Sequence, residues 1–425
     1  MAPPAWRSTL VWAVAALFYL SGFYLRVSPA VMTTELMRDF GIAATALGNF
    51  SAVYFYAYLV MQIPTGVLVD SWGARRLLLV GIAGAAAGTL LFATTSSYLV
   101  ACIGRGMVGG STAVAWVVTL KLATHWFPGR LFTTLAGLGL FMGNLGALVA
   151  QVPLRLAVDA FGWRAVAVGS AGVIIVIAVL AFAFVRNDPS EVGYESCAPA
   201  SLRSQHQVSM LELLRGFSRI FGYRNTWLIF CAQGGFVGAV LSFTGLWGPP
   251  YLRARFGVPP TTAAAICSVM IVCWAVASPV IGNLTDRLGR RKPIYLGGAV
   301  TAALGWLTMF YVPLPLPVFV AVAAVTSVAC GAVIIGFPFA KESVPAKFLA
   351  TISGAINFGN MLGPTLLQPA IGLILDHQWD GRRVNGLRVY DPAAFQVAFL
   401  LIVGWALVAC VLIALTRDTE CQQRE

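Results

Sequence analysis

Charged residues in this chain gather mostly in intervals between long apolar runs. Twelve such runs fall at 9–32, 44–69, 76–94, 98–120, 131–156, 162–185, 225–249, 261–283, 293–312, 315–340, 348–373 and 395–416. A helix needs about 20 apolar residues to cross a bilayer, so each run is predicted to be one transmembrane helix, numbered here span 1 to span 12. Six precede the polar segment Arg186 to Arg224 and six follow it. Inside that segment Asn187-Asp188-Pro189-Ser190 reads as a turn, and Met210 to Phe221 as a short amphipathic helix on the membrane surface. The first run is longer than a signal-peptide core and has no small-residue cleavage site, so it is expected to be a retained span.

The two sets of six are copies. Phe40-Gly41 returns as Phe256-Gly257, and Gly66, Asp70, Gly73, Arg75 and Arg76 return as Gly282, Asp286, Gly289, Arg291 and Lys292. Pro128, Gly137 and Gly146 return as Pro345, Gly354 and Gly363, so the offsets are 216, 216 and 217. Parallel repeats of this kind are a transporter architecture. The expected fold is an all-α membrane protein of twelve transmembrane helices, in two pseudo-symmetric six-helix bundles around a central cavity. The bundles are placed at 1–186 and 225–425, with a cytoplasmic linker at 187–224.

Composition narrows the function. The chain is 59% hydrophobic and 10% charged, against roughly a quarter charged in soluble domains. A net charge of +12 raises nucleic acid as a partner, but its basic residues are dispersed between spans and not gathered on one folded face. They set orientation instead: with a cytoplasmic N-terminus, 18 Lys and Arg fall inside and 8 outside. Both termini are expected to be cytoplasmic, in the inner membrane of a bacterium. The eight cysteines and three histidines lack metal-type spacing, so no metal, cofactor or Ser-His-Asp enzyme is expected. No Walker-type phosphate loop is visible, which points away from direct use of ATP. The expected partners are a small-molecule substrate and the lipid bilayer, with the chain as a monomer.

Gly66-Val-Leu-Val-Asp70-Ser-Trp-Gly73-Ala-Arg75-Arg76, between spans 2 and 3, resembles the signature loop of the major facilitator superfamily, and Gly282 to Lys292 is its echo. Arg105-Gly-Met-Val-Gly109 is similar to that family's buried-arginine motif, and Gly137, Gly139, Gly143 and Gly146 to its glycine-rich motif. The resemblance covers essentially the whole chain and implies a carrier. In physical terms, an Asp at a helix end followed by a tight turn and paired cations can form charge-assisted bonds that break on opening. Asp70, Arg75, Arg76, Asp286, Arg291 and Lys292 are therefore candidate gating residues; the alternative is that the cations only hold topology. Gly139, Gly143, Gly146, Gly359 and Gly363 are expected to be close helix contacts.

Arg26 and Arg105 are the basic residues lying well inside apolar spans, and the sequence offers no Asp or Glu at comparable depth. An arginine there costs at least ~2.5 kcal/mol, so such residues face a cavity or a partner. Both are expected to meet an anion. Phe23-Tyr24-Leu25-Arg26-Val27-Ser28-Pro29 is similar to the first span of organic-anion carriers of the superfamily, where the resemblance implies that the arginine binds a substrate carboxylate; the acidic residue often preceding it there is absent. Arg105 is open to a second reading, as an anchor for carbonyls of a neighbouring helix. Helical spacing adds Thr112 and Trp116 to the face of Arg105, and Phe23, Tyr19 and Trp12 to that of Arg26. Tyr54, Tyr58 and Gln62 of span 2, Asn144 of span 5, Gln233 and Trp247 of span 7, and Asn357 and Asn360 of span 11 complete the candidate substrate-binding set.

The expected activity is alternating-access transport of a small organic anion, a monocarboxylate or sugar acid. Glu35, Asp39 and Glu342 lie at span ends, leaving uniport, exchange, or symport through a peripheral group. The alternatives are an exporter of lipophilic or zwitterionic compounds and a non-transporting membrane sensor. Outer arginines 253, 255, 382, 383 and 388 either draw anions to a cavity mouth or are ordinary loop charges.

Overall fold

The computed structural model describes residues 3–198, 210–345 and 348–422. Arg203, Lys347 and Arg424, which entered the inner charge count, and His206 lie outside the described residues. Among the described residues, eleven helices are long and apolar enough to cross a membrane: Ala5–Val31, Ala74–Thr94, Tyr98–Trp126, Gly129–Phe161, Trp163–Phe184, Arg224–Phe256, Pro260–Leu288, Lys292–Tyr311, Leu316–Glu342, Thr351–His377 and Pro392–Ala414. A bent pair, Thr33–Phe40 with Ala44–Gln62 at 110°, makes twelve. Its second member continues to Ser71 and is span 2. The twelve-span all-α membrane architecture is thus what this sequence forms.

Several helices outrun the apolar runs that announce them. The run 131–156 becomes Gly129–Phe161, and 225–249 becomes Arg224–Phe256. Hydropathy registers the thickness of the hydrocarbon layer, whereas a helix ends where its backbone is capped. The helix expected at Met210 to Phe221 is present as Met210–Ile220. It does more than lie on a surface: Phe217 meets Phe358 at 6.2 Å between ring centroids, and Phe221 meets Trp227 at 4.3 Å.

The chain packs as two compact units. One comprises Met1–Arg26, Tyr56–Ala150 and Ala157–Met210; the other comprises Val27–Phe55, Gln151–Leu156 and Leu211–Glu425. In the first unit, Gly88 of span 3 and Gly104 of span 4 bring two backbones together, and a Cβ on either would lie 2.6 Å from the other's carbonyl oxygen. Lipid gives apolar helices no hydrophobic reason to associate, so close van der Waals contact of this kind holds them. In the second unit, Gly238 of span 7 and Gly363 of span 11 meet in the same way. Span 7 carries two π-helical turns, Gly234–Gly238 and Phe243–Trp247. Beside the second of them a ring cluster of Phe243, Tyr251, Trp306, Phe310 and Phe399 fills the unit.

Candidate substrate site

The first unit places Arg26 and Arg105 side by side, and a proline explains how. The α-helix of span 1 runs over Ala5–Val27 and passes into a 3-10 turn over Ser28–Val31. In a continuing α-helix the Leu25 carbonyl would accept from the amide of residue 29, but residue 29 is Pro and has no N–H. Arg105 supplies the missing donor. It donates one terminal nitrogen to the Leu25 carbonyl and the other to the Arg26 carbonyl at 2.8 Å. A buried carbonyl left without a donor costs about 1–3 kcal/mol. Of the two readings of Arg105, this geometry supplies the anchor directly.

Arg26 itself is 5% exposed. Its guanidinium lies 4.3 Å from the centroid of the Phe23 ring and 5.0 Å from that of Tyr58. Cation–π contacts in a desolvated setting are worth about 2 kcal/mol. The aromatic row continues from Phe23 to Tyr19 and on to Trp116, at 5.0 Å for each step. Span 5 seats it. A Cβ on Gly143 would fall 2.8 Å from the Tyr19 ring, one on Gly139 3.0 Å from Trp116, and one on Gly146 would strike the Leu20 carbonyl. The expected glycine contacts are therefore made, but two of the three receive aromatic rings and only Gly146 receives backbone. Thr112 packs against Gly22 and turns its hydroxyl to the Gly109 carbonyl at 3.2 Å. One helical turn beyond Tyr58, the Oε1 of Gln62 is a buried acceptor that no donor among the described residues reaches. Asn144 turns back to its own helix, donating to the Leu140 carbonyl.

The candidates of the second unit are more dispersed. Gln233 accepts from the Tyr295 hydroxyl at 3.3 Å and donates to the Val333 carbonyl at 3.4 Å. The Trp247 indole donates to the Gln368 carbonyl at 3.0 Å. Both thus hold neighbouring helices with their polar atoms. Tyr54 is fully buried against Phe55. Asn360 is 6% exposed with its Oδ1 unsatisfied, and Asn357 is half-buried.

The two signature loops differ. In the first, Lys121 of span 4 donates to Asp70 at 2.6 Å and to the Val69 carbonyl at 2.9 Å. Arg75 turns to the Phe182 carbonyl at 2.8 Å, its backbone amide donates to Asn187 Oδ1 at 2.8 Å, and Arg76 is exposed. In the second, Arg291 reaches Asp286 at 2.5 Å and Glu342 at 2.8 Å, while Lys292 donates to the Thr416 carbonyl. Of the outer arginines, Arg382 pairs with Asp380 and Asp391, Arg388 pairs with Asp376, Arg253 donates to Thr34, and Arg255 holds the Val312 carbonyl. Arg383 lies over the Trp379 ring. Arg382 and Arg388 thus pair with nearby carboxylates, while Arg253 and Arg255 hold groups of other segments.

Set against known proteins, the chain matches the family described as Major Facilitator Superfamily over residues 11–272 and again over 234–424. It is 25% identical to the lysosomal dipeptide transporter MFSD1 of Danio rerio, across 88% of this chain and 81% of that protein. It is 23% identical to a putative tartrate transporter of Agrobacterium vitis, across 83% and 81%. Among solved structures, a bacterial homologue of the human lysosomal transporter Spinster superposes with a TM-score of 0.76 over 97% of both chains at 16% identity. That likeness speaks for the fold.

Proposed function

Since this chain belongs to the major facilitator superfamily and is a multi-pass membrane transporter of small molecules, we propose that its cargo is a small organic anion, a monocarboxylate or sugar acid, carried by alternating access. In this reading the six-helix halves, 1–186 and 225–425, open in turn to the two sides, with both termini on the cytoplasmic side of a bacterial inner membrane. No ATP-binding loop is invoked; gradients drive the solute.

The observation that carries the proposal is Arg26, a buried cation laid across Phe23 and Tyr58. Ring faces stabilise the buried cation where it lies, and a guanidinium held in that way keeps the charge and planar shape that recognise a carboxylate. Arg105 fixes the backbone from which Arg26 projects, and so is proposed to act on the substrate mainly through that placement. The Gln62 acceptor, one turn from Tyr58, favours a cargo that brings donors of its own, as the hydroxyls of a sugar acid do. Two relatives named for tartrate and for dipeptides share one chemical element, a carboxylate on a small polar body.

Purified protein in liposomes is expected to take up hydroxy acids, and Arg26→Ala to weaken their binding by about 10–150-fold, the equivalent of a lost hydrogen bond to a charged group at about 1.5–3 kcal/mol. Arg26→Lys keeps the charge and should retain part of the affinity. Undiminished uptake and affinity in Arg26→Ala would refute the site. A thermal-shift screen separates the rival: stabilisation by lipophilic cations in place of carboxylates supports an exporter.

A further inference from the structure

Span 2 starts without a cap of its own. The residues before Ala44 are Gly41, Ile42 and Ala43, and none can turn a side-chain oxygen onto the first free amides of the helix. The oxygen comes from 331 residues further along the chain. Asp376, in the last turn of span 11, accepts from the Thr45 amide at 2.8 Å, the Thr45 hydroxyl at 2.6 Å and the Ala44 amide at 3.3 Å. The Tyr390 hydroxyl bridges the same elements, accepting from the Ala44 amide at 3.0 Å and donating to Asp376 at 2.5 Å. Arg388 completes the set at 3.2 Å.

The loop between spans 11 and 12 is shaped for this. Strands Arg383–Val384 and Leu387–Arg388 pair across Asn385 and Gly386, both at positive φ, which is the turn a two-residue hairpin demands. The hairpin returns the chain so that Arg388 stacks on Trp379 at 4.3 Å and points at Asp376, with Tyr390 two residues on. Burial and the adjacent carboxylate push the Tyr390 phenol well above its ordinary value, so its proton stays available to donate. Beneath the cap, a Cβ on Gly48 would lie 2.5 Å from the Gln368 carbonyl and one on Gly372 2.4 Å from that of Ala44. Spans 2 and 11 therefore touch backbone to backbone there.

We propose that Asp376 is the gating residue at the end of the transporter opposite the signature loops: it closes that end by capping span 2 in trans, with Thr45, Tyr390 and Arg388 as its partners. Thr45 belongs to the first sequence repeat and Asp376 to the second, so in a cycle that moves the halves 1–186 and 225–425 apart, opening that end parts them. A carboxylate on helix amides suits a contact that is made and broken, because the positive end of a helix attracts it strongly and water solvates both sides after separation.

The proposal rests on the alternating-access reading and is independent of the cargo, so its test uses no substrate. Ser51, fully buried six residues below Thr45, serves as reporter through Ser51→Cys, labelled by a membrane-impermeant maleimide from the outer side in intact cells and resolved by peptide mass spectrometry. Slow labelling is expected in the otherwise native protein. Asp376→Asn should raise the rate at least tenfold, Thr45→Val and Tyr390→Phe should raise it less, and Asp376→Glu should return it toward the native rate. Unchanged labelling in Asp376→Asn, in protein that keeps its melting temperature, overturns the proposal. If Asp376→Asn fails to accumulate, Thr45→Val decides: faster labelling supports the cap and an unaltered rate overturns it. Failure of anion uptake with intact gating would count against the cargo alone.

Discussion

Gly66–Arg76 and Gly282–Lys292 are two copies of one motif, and they have settled on different partners. In both, a glycine at positive φ, 85° at Gly73 and 65° at Gly289, makes the turn that follows the aspartate. Beyond the turn they diverge. Asp70 stays 45% exposed and bonds outward to Lys121, whereas Asp286 bonds to Arg291 of its own loop. Arg291, 8% exposed, is held between Asp286 and Glu342, with Thr285 at 2.8 Å. The deciding residues lie outside the motif. The C-terminal end of span 4 offers a cation, Lys121, which takes the loop's carboxylate and leaves Arg75 to a carbonyl; that of span 10 offers an anion, Glu342, which takes the loop's arginine. A duplicated motif thus fixes the turn and the placement of its charges, while the sign of the neighbouring span end selects which charge of the loop it pairs with.

The energetic consequence is unequal. An exposed ion pair contributes about 0–1 kcal/mol, but removing one partner of a buried pair costs about 3–5 kcal/mol because a charge is left without compensation. Glu342→Gln is therefore expected to be the most damaging of the loop substitutions, at about 3 kcal/mol, given that Asp286 remains. Lys121→Gln should cost less than about 1 kcal/mol. Paired thermal or denaturant melts in one detergent check this, and equal losses would erase the distinction between the loops.

Next in size is the effect of Asp70→Asn. Stability should change by less than about 1 kcal/mol, since the pair is half in water. If Asp70 acts as a gate, labelling of cysteines introduced at that end of the transporter should nonetheless rise severalfold. Labelling that stays at the native rate would leave Asp70 and Lys121 a purely positional role and sharpen the contrast with Arg291.

Much of this was legible because lipid imposes simple rules. Twelve apolar runs give twelve spans since hydrocarbon tolerates only helices of that length, and a lone Arg26 in such a run announces itself. The position of Arg105 was half legible: Pro29, four residues after Leu25, signals a carbonyl lacking its α-helical amide. Lys121 and Glu342 could be placed at span ends but not assigned to their loops, because hydropathy carries no information on which side of a helix a terminal charge leaves. The Asp376 cap was beyond reach. Its partners, Thr45 and Tyr390, look like ordinary span-end residues, and only the tertiary fold reveals that span 11 supplies the cap that Gly41, Ile42 and Ala43 cannot.

The smallest expected effect concerns what clips the first loop in place. Asn187 caps the helix after that loop, and its neighbour Asp188 accepts from Ser196 at 2.6 Å and from the Ser190 amide at 2.9 Å, and contacts His125 Nδ1 at 2.7 Å. Burial opposes the charge on Asp188, but these hydrogen bonds outweigh it and hold the carboxyl below the ordinary range. For a carboxylate depressed on folding, the stabilisation is fully present above the ordinary value near 3.9 and is lost as pH falls through the depressed one. Hydrogen exchange over residues 186–198, corrected for intrinsic rates, should therefore show no loosening from loss of the Asp188 charge between pH 8 and 5, and an acid step below about pH 4. Asp188→Asn should loosen the segment by roughly 1 kcal/mol at neutral pH and abolish the acid step. An acid step that survives the substitution would mean that the clip depends on another group, and the first loop's hold would then have to be sought outside this segment.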